Sequence, residues 1–171
     1  MQNIEIKAHY PNINKGRKIA EELNAKYIGC DHQIDTYFRT NNGKLKLRES
    51  SLSGAVLVPY VRESKTGAKS SLYALIEVDD AKTTKELFSS IFGMDTVVEK
   101  MRHIYLIDNV RVHFDEVQGL GCFFELEAVC SGTSVLDEEH QKVDKLLKVF
   151  QVDESSLIKG SYQEMRRNSA K

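Results

Sequence analysis

A chain of 171 residues is long enough for one domain with a real hydrophobic core, and its net charge of −1 argues against nucleic acid or an anionic membrane as a partner. The cysteines, three in number and without a CxxC pair, argue against both a disulfide framework and a zinc site; they are Cys30, Cys122 and Cys130. Since no apolar run is long enough for a signal peptide or a membrane span, we expect a cytoplasmic location.

The chain begins with a predicted strand and a predicted helix. Apolar and polar side chains alternate along Asn3–His9, which is the period of a strand with one buried face. The next segment has apolar residues four apart, at Ile19, Leu23 and Tyr27, so we predict a helix that ends at Gly29.

A hairpin with a strongly basic strand follows. We predict strands over Asp31–Thr40 and Lys44–Ser50, because the Asn42-Gly43 pair between them tolerates the positive φ angles of a tight turn. A fourth strand is predicted at Ala55–Arg62. Along Lys44–Ser50 the basic residues alternate with leucine, so like charges on one face either surround an anion or form a solvated edge. These basic residues are Lys44, Lys46 and Arg48.

The middle of the chain combines a polar loop, a strand, a helix and another strand. The loop is predicted at Glu63–Ser71 and the strand at Leu72–Val78. A helix is predicted at Asp80–Gly93, with apolar residues on one side, and the next strand is predicted at Thr96–Ile107. The apolar helix residues are Leu87, Ile91 and Phe92, and the last strand carries Lys100 and Arg102 at strand spacing.

The segment Asn109–Val129 is predicted to form two strands joined by a glycine turn. Each strand has an apolar face and an ionisable face, and pairing would bring the ionisable faces together. The carboxylates of Asp115, Glu125 and Glu127 would then repel one another unless a hard cation such as Mg²⁺ lay among them. The alternative is a sheet with a solvated outer face.

The C-terminal region is predicted to hold a long helix and a short one. The short helix is predicted at Ser161–Arg167, and the basic tail, residues 166–171, is predicted to be disordered. The apolar face of the long helix consists of Leu136, Val143, Leu147 and Phe150.

Together these elements predict an α+β fold in one domain over residues 1–171. If the helices cover the apolar faces of the strands, the charged faces point to solvent in an open sheet or to the interior in a closed barrel. We predict a closed eight-stranded antiparallel β-barrel with the helices packed on its outside. Its interior would hold many basic groups beside an acidic cluster, and a triphosphate with Mg²⁺ or Mn²⁺ satisfies both.

A series of short motifs runs through nearly the whole chain. They are EIK at Glu5–Lys7, DTYF at Asp35–Phe38, NGKLKLRE at Asn42–Glu49, LVPYVR at Leu57–Arg62, KMR at Lys100–Arg102, NVRVHFDEVQGLG at Asn109–Gly121, FELEAV at Phe124–Val129 and SY at Ser161–Tyr162. In this order the sequence resembles the CYTH superfamily, the triphosphate tunnel metalloenzymes. It is most similar to the branch named after class IV adenylyl cyclases.

The resemblance implies a triphosphate bound inside a β-barrel tunnel, with Mg²⁺ or Mn²⁺ as cofactor. It implies catalytic roles for Glu5, Lys7 and Asp115. It implies triphosphate contacts by Lys46, Arg48, Arg62, Lys65, Lys100, Arg102 and Arg111, together with Lys7. The implied metal ligands are Glu5, Asp115, Glu125 and Glu127.

One position departs from the family pattern, and several functions stay open. The first motif reads ExExK in the family, but Asn3 stands at its first glutamate, so one carboxylate is missing. The leading prediction is an adenylate cyclase that converts ATP to cyclic AMP and pyrophosphate. The alternatives are a triphosphatase acting on thiamine triphosphate, a nucleoside triphosphate or inorganic tripolyphosphate, and a triphosphate-binding module without turnover. Neither nucleic acid nor a membrane is an expected partner, and we expect a monomer or a homodimer.

Overall fold

The computed structural model describes residues 2–62, 71–130 and 136–169. Within these ranges the chain forms nine strands and four α-helices. The strands are β1 (Gln2–His9), β2 (Lys26–Phe38), β3 (Lys44–Ser50), β4 (Gly54–Arg62), β5 (Ser71–Tyr73), β6 (Ile76–Val78), β7 (Met94–Ile107), β8 (Val110–Val117) and β9 (Gly121–Cys130). The helices are α1 (Ile13–Glu22), α2 (Ala81–Phe92), α3 (Leu136–Val149) and α4 (Tyr162–Ser169).

The strands form one antiparallel sheet, so the fold is α+β as predicted. Its strand order is β1-β9-β8-β7-β2-β3-β4-β5, and β6 also pairs with β4. In the described ranges no ladder joins β1 to β4, β5 or β6, so the predicted closure into a barrel is not confirmed. Residues 63–70, which include Lys65 and most of the predicted loop, lie outside the described residues.

The strand register places the ionisable side chains on one face of the sheet. Arg102 in β7 is the direct partner of both Asp31 in β2 and Asp115 in β8. Because side chains alternate along a strand, every second residue on either side of these positions shares their face. This surface, the charged face, carries Glu5, Lys7, Asp35, Lys46, Arg48, Lys100, Arg102, Arg111, His113, Asp115, Glu125 and Glu127.

The opposite face of the sheet carries the main hydrophobic core. Phe114 and Phe124 are fully buried there, and the ring of Phe150, at the end of α3, lies 5.9 and 5.0 Å from theirs. The helix α1 approaches so closely at Gly16 that any Cβ there would collide with Phe114 and Tyr10. Since α1 and α3 cover this face, the charged face points away from both.

The first helix is shorter than predicted. It ends at Glu22, and Asn24, with a φ of 55°, turns the chain into β2. Tyr27 and Gly29 therefore belong to β2 instead of the helix, because this segment pairs with β7. Leu23 and Tyr27, predicted to lie on the buried stripe, are 42% and 46% exposed.

The second helix presents a different side to the sheet from the one predicted. Leu87 and Ile91 are 57% and 67% exposed. Phe88 instead packs edge-on against Phe38 of β2, with ring centroids 5.6 Å apart. The side of α2 that meets the sheet thus carries Phe88 and also Lys85, which pairs with Glu49 of β3 at 2.6 Å, and the apolar spacing does not reveal it.

Two further boundaries differ from the sequence prediction. The strand predicted at Leu72–Val78 is divided into β5 and β6, because its two halves pair with different parts of β4. The tail predicted to be disordered from residue 166 is helical as far as Ser169, since Arg167 forms an ion pair with Asp95 at 2.6 Å. In the part of the chain described, every helix is too short or too polar to cross a membrane.

Candidate active site

The centre of the charged face is a buried ion pair between β7 and β8. Arg102 donates from Nε and Nη2 to the two carboxylate oxygens of Asp115, both at 2.6 Å, and from Nη2 to Glu125 at 2.6 Å. The register explains the pairing, because Arg102 and Asp115 are direct partners on adjacent strands. Burial alone would lower the pKa of Arg102, but the two carboxylates raise it well above its ordinary value.

Asp115 also binds Lys100 and Tyr162. Lys100 Nζ lies 3.1 Å from Asp115 Oδ2, and the hydroxyl of Tyr162 donates to the same oxygen at 2.8 Å. The fully buried carboxylate therefore accepts four hydrogen bonds. Burial by itself would raise the pKa of Asp115, but the attraction of Arg102 and Lys100 holds it below its ordinary value. Asp115 is thus a charged anchor for the groups around it.

Tyr162 reaches the charged face from α4. The ammonium groups of Lys7 and Lys100 lie over its ring, 4.4 and 5.0 Å from the centroid. Its ring also packs against Phe123, with centroids 4.9 Å apart. Burial, and then the charge of Asp115, raise the pKa of the Tyr162 hydroxyl, so it remains a hydrogen-bond donor.

A second buried carboxylate, Asp35, holds the basic strand β3. Lys46 Nζ donates to Asp35 at 2.8 Å, and Arg48 donates from two nitrogens at 2.7 Å. Burial, and then the charge of Arg48, lower the pKa of Lys46 to about 7 even though Asp35 acts in the opposite direction. Burial alone would raise the pKa of Asp35, but Lys46 and Arg48 hold it far below its ordinary value. Lys100 contributes to the same lowering, so the two carboxylate clusters belong to one electrostatic site.

The edge of the charged face towards β1 is more exposed. Lys7 Nζ lies 3.3 Å from Glu5 and 4.0 Å from Glu125, and the side chain of Glu5 is 45% exposed. Arg111 pairs with Glu127 at 3.1 Å, with side chains 50% and 22% exposed. Glu5 and Glu127 are direct partners on β1 and β9, which places their oxygens at this edge.

The acidic residues are not arranged as a ready-made metal site. In residues 2–62, 71–130 and 136–169, no three side chains of His, Cys, Asp or Glu converge to hold a metal ion. Arg102 binds oxygens of both Asp115 and Glu125. Glu5 and Glu127 are partly exposed oxygen donors on neighbouring strands, whereas the carboxylate of Asp115 already accepts four hydrogen bonds. The predicted metal-ligand set stays a prediction.

The structure places the predicted site residues in three groups. The central part of the charged face brings together Lys7, Lys46, Arg48, Lys100, Arg102, Asp115 and Glu125, of which Arg48 is the most exposed. The exposed edge holds Glu5, Arg111 and Glu127. The third group is less defined: Arg62 is placed only as the last residue of β4, and Lys65 lies outside the described residues.

Three residues of the site were absent from the predicted set. Asp35 could have been found, because it alternates in β2 opposite the basic strand and pairs with Arg48 in register. His113 is buried opposite Glu125, and burial, followed by the charge of Arg102, lowers its pKa to about 3, so its imidazole is neutral. Its Nδ1 has no hydrogen-bond partner among the described residues. Tyr162 lies on a helix, so strand periodicity could not indicate it.

Comparisons with known proteins agree over nearly the full length. The family model described as CYTH domain matches residues 1–162. A Methanocaldococcus jannaschii protein, provisionally named an adenylate cyclase, is 28% identical over 97% of this chain and 99% of its own.

Two solved structures show the same fold. A Pyrococcus horikoshii protein has a TM-score of 0.80 and 25% identity, covering 95% of this chain and 98% of its own. A Hippeastrum protein has a TM-score of 0.70 and 14% identity, covering 98% of this chain and 95% of its own. It is provisionally named an adenylyl cyclase and is described as having a dominant triphosphatase activity.

Proposed function

The chain belongs to the CYTH domain family, and from that premise we propose that it is a metal-dependent enzyme acting on a triphosphate, most readily ATP, which it converts to cyclic AMP and pyrophosphate. One observation carries the proposal. Basic side chains from three strands converge on the charged face, where two aspartates and a glutamate pair with most of them; these basic residues are Lys7, Lys46, Arg48, Lys100 and Arg102.

This arrangement is better explained by a polyanion-binding site than by a solvated surface. Charges on a solvated face are exposed, but Lys100 and Arg102 are 4% and 7% exposed. Buried charge is costly unless it is paired, so a site with this many buried cations is suited to a ligand with several negative charges. Since phosphoryl transfer depends mainly on charge neutralisation and positioning, such a site supplies much of what the reaction needs.

We also propose that the sheet closes around the charged face. The helices α1 and α3 lie on the opposite face, yet the side chains of Lys100, Arg102 and Asp115 are nearly inaccessible. A sheet that curves until its charged face lines an interior accounts for that burial. The partly exposed edge at Glu5 and Glu127 would then be an entrance.

The acidic edge is the proposed metal side. Glu5, Glu127 and, once Arg102 binds phosphate oxygens, Glu125 would hold Mg²⁺ or Mn²⁺. When bound, the ion neutralises phosphate charge and makes the attacking oxygen more acidic.

In the cyclase reaction the ribose 3′-oxygen attacks the α-phosphorus. The new bond joins O3′ to Pα, the bond from Pα to the bridging oxygen breaks, and pyrophosphate leaves with that electron pair. The 3′-hydroxyl proton goes to Glu5, the most exposed carboxylate of the site. Lys7, beside Glu5 at 3.3 Å, would hold the α-phosphate next to this base. Asp115, with four hydrogen bonds, is a poorer proton acceptor and keeps Arg102 and Lys100 in place.

Hydrolysis of a triphosphate is the second candidate. Hydrolysis and cyclisation would use the same contacts. In both, the basic side chains would bind phosphate oxygens and the acidic edge would hold a cation. The Hippeastrum protein with this fold is named for a dominant triphosphatase activity. In that reaction water attacks the terminal phosphorus and orthophosphate is released.

The products distinguish these functions. Purified protein is given Mn²⁺ or Mg²⁺ with ATP, thiamine triphosphate or tripolyphosphate, and the products are separated chromatographically. Cyclic AMP with equimolar pyrophosphate supports the cyclase, whereas orthophosphate without cyclic nucleotide supports the triphosphatase. Binding without any product would support the alternative of a triphosphate-binding module without turnover. The variant to assay next is then Asn3→Glu, which restores the missing motif carboxylate.

A matched pair of variants connects the activity to the charged face. Lys46→Met removes a buried cation, and Lys82→Met removes an exposed one on α2. We expect Lys46→Met to weaken tripolyphosphate binding about tenfold or more, since it removes a charge-assisted contact. Lys82→Met should bind as the wild type does. Equal binding by both variants would contradict a role of the charged face in recognition.

A further inference from the structure

We propose that Tyr162 is a positioning residue for the triphosphate, setting the places of the Lys7 and Lys100 ammonium groups on the charged face. The proposal rests on the proposed function, because the two lysines are assigned there to phosphate binding. It adds to the site a residue from α4, outside the sheet.

The first support is the aromatic ring. Lys7 belongs to β1 and Lys100 to β7, and two strands lie between these in the sheet. Both ammonium groups nevertheless lie over the Tyr162 ring, at 4.4 and 5.0 Å from its centroid. An aromatic face attracts cations, so the ring offers a common site for two like charges that repel each other. It thereby brings together phosphate contacts from distant strands.

The second support is the hydroxyl. It donates to Asp115 at 2.8 Å, and Asp115 itself binds Lys100 at 3.1 Å and Arg102 at 2.6 Å. Tyr162 therefore acts on Lys100 through both its ring and the carboxylate. The hydroxyl therefore does more than fill space, because its hydrogen bond connects Tyr162 to the carboxylate that binds Lys100 and Arg102.

The third support is the way in which α4 is fixed beside the sheet. Gln163, next to Tyr162, donates to Asp95 at 2.7 Å, and Arg167 pairs with the same carboxylate at 2.6 Å. Glu164 accepts from Lys44 of β3 at 2.9 Å. These contacts hold the ring in register with two different strands, which positioning to within a fraction of an ångström requires.

The proposal is tested by tripolyphosphate titration calorimetry without metal. Tyr162→Phe keeps the ring and removes the hydroxyl, and Tyr162→Leu removes both. Trifluorophenylalanine at position 162 keeps the shape of phenylalanine but weakens the negative face of the ring. The matched control is Tyr105, a buried tyrosine in the opposite core whose hydroxyl accepts from Arg17.

We expect Tyr162→Leu to weaken binding about tenfold and Tyr162→Phe about threefold. Trifluorophenylalanine should bind more weakly than phenylalanine at the same position. The Tyr105→Phe and Tyr105→Leu controls should lose stability without losing affinity. The fluorinated variant retains the packing shape, so it gives a result even if Tyr162→Leu does not fold.

Two outcomes overturn different statements. If the wild type binds tripolyphosphate and neither Tyr162→Phe nor fluorination lowers the affinity, Tyr162 has only a packing role and the proposed function stands. If the wild type does not bind tripolyphosphate even at low salt, the proposed function fails, and this inference fails with it.

Discussion

Two buried aspartates hold the basic residues of the charged face. Asp115 binds Arg102 and Lys100, and Asp35 binds Lys46 and Arg48. Each carboxylate thus supplies the negative charge that pairs these cations. If the proposed triphosphate binds the same cations, we expect it to exchange or share these partners.

The substitution Asp35→Asn tests this pairing. It removes a buried carboxylate and leaves Lys46 and Arg48, whose side chains are 12% and 26% exposed, without their counter-charge, so we expect a loss of about 3 kcal/mol in the free energy of unfolding. Tripolyphosphate should then stabilise the variant more than the wild type, because it supplies the missing negative charge. Urea unfolding with and without tripolyphosphate measures both effects.

The control is Glu49→Gln, which breaks a lysine–carboxylate pair of higher exposure. Glu49 binds Lys85 with both side chains 31% exposed, and such a pair contributes at most about 1 kcal/mol. Equal losses in the two variants would contradict the distinction between buried and exposed pairs.

The lowered pKa of Lys46 predicts proton uptake on ligand binding. Its pKa of about 7 lies below the ordinary 10.5, so the ammonium loses its proton as pH rises above about 7. A polyanion favours the charged form and raises this pKa, so affinity for tripolyphosphate should fall as pH rises through that range. Calorimetric titration at several pH values measures this slope.

Tripolyphosphate itself titrates, so the slope is read as a difference from Lys46→Arg. The guanidinium stays charged throughout the range, so this variant should lose less affinity on going to alkaline pH. Identical slopes in the two proteins would show that Lys46 does not take up the proton.

At the scale of elements, the helices differ in how strongly they are attached to the sheet. The helix α3 is followed directly by Phe150, whose ring is fully buried among the aromatic side chains of β8 and β9 and whose carbonyl accepts from Tyr10 at 2.9 Å. In α2 every residue for which the structure describes burial is at least partly exposed. We infer that α3 is part of the stable core and that α2 is attached more weakly.

Two truncations on these helices should therefore have unequal effects. Phe150→Ala leaves a cavity in the core and should cost about 3–5 kcal/mol in the free energy of unfolding. Ile91→Ala on α2, at a side chain 67% exposed, should change it by less than about 0.5 kcal/mol. Chemical denaturation measures both, and amide exchange should be faster in α2 than in α3. A large loss from Ile91→Ala would contradict the inferred weak attachment of α2, because it would mean that this exposed side chain contributes to the packing.

For the whole molecule, the buried carboxylates make the free energy of unfolding depend on pH in the acid range. The pKa values of Asp35, Asp115 and Glu125 are held below the ordinary 3.8, 3.8 and 4.5. A group with a lowered folded-state pKa stabilises the fold above its unfolded-state value, and this contribution is lost as pH falls towards the folded-state value. The free energy of unfolding should therefore fall steadily below about 4.5, by on the order of 2 kcal/mol or more.

Urea unfolding across this pH range measures the effect, and salt provides its control. Buried pairs are screened little, so raising the ionic strength should leave the acid slope nearly unchanged. A slope that disappears in high salt would assign the effect to exposed charges instead.

The charged face and the α+β class were predictable from the amino-acid sequence alone. Alternation along a strand is local, so the parity of Lys46, Arg48, Arg102 and Asp115 could be read before any strand was paired. Hairpin signals and the glycine turn indicated antiparallel neighbours, and the motif order indicated the family. The site residues that lie on strands were therefore accessible to prediction, as Asp35 would have been.

The partners of each charged side chain, and the side of each helix that packs on the sheet, are known only from the three-dimensional structure. Asp115 binds Arg102 and also Tyr162, which lies 47 residues further along the chain. Phe88, not Leu87 or Ile91, attaches α2 to the sheet. The physical reason is that these contacts depend on strand register and on where a distant helix docks, and neither is encoded in the local period of the side chains.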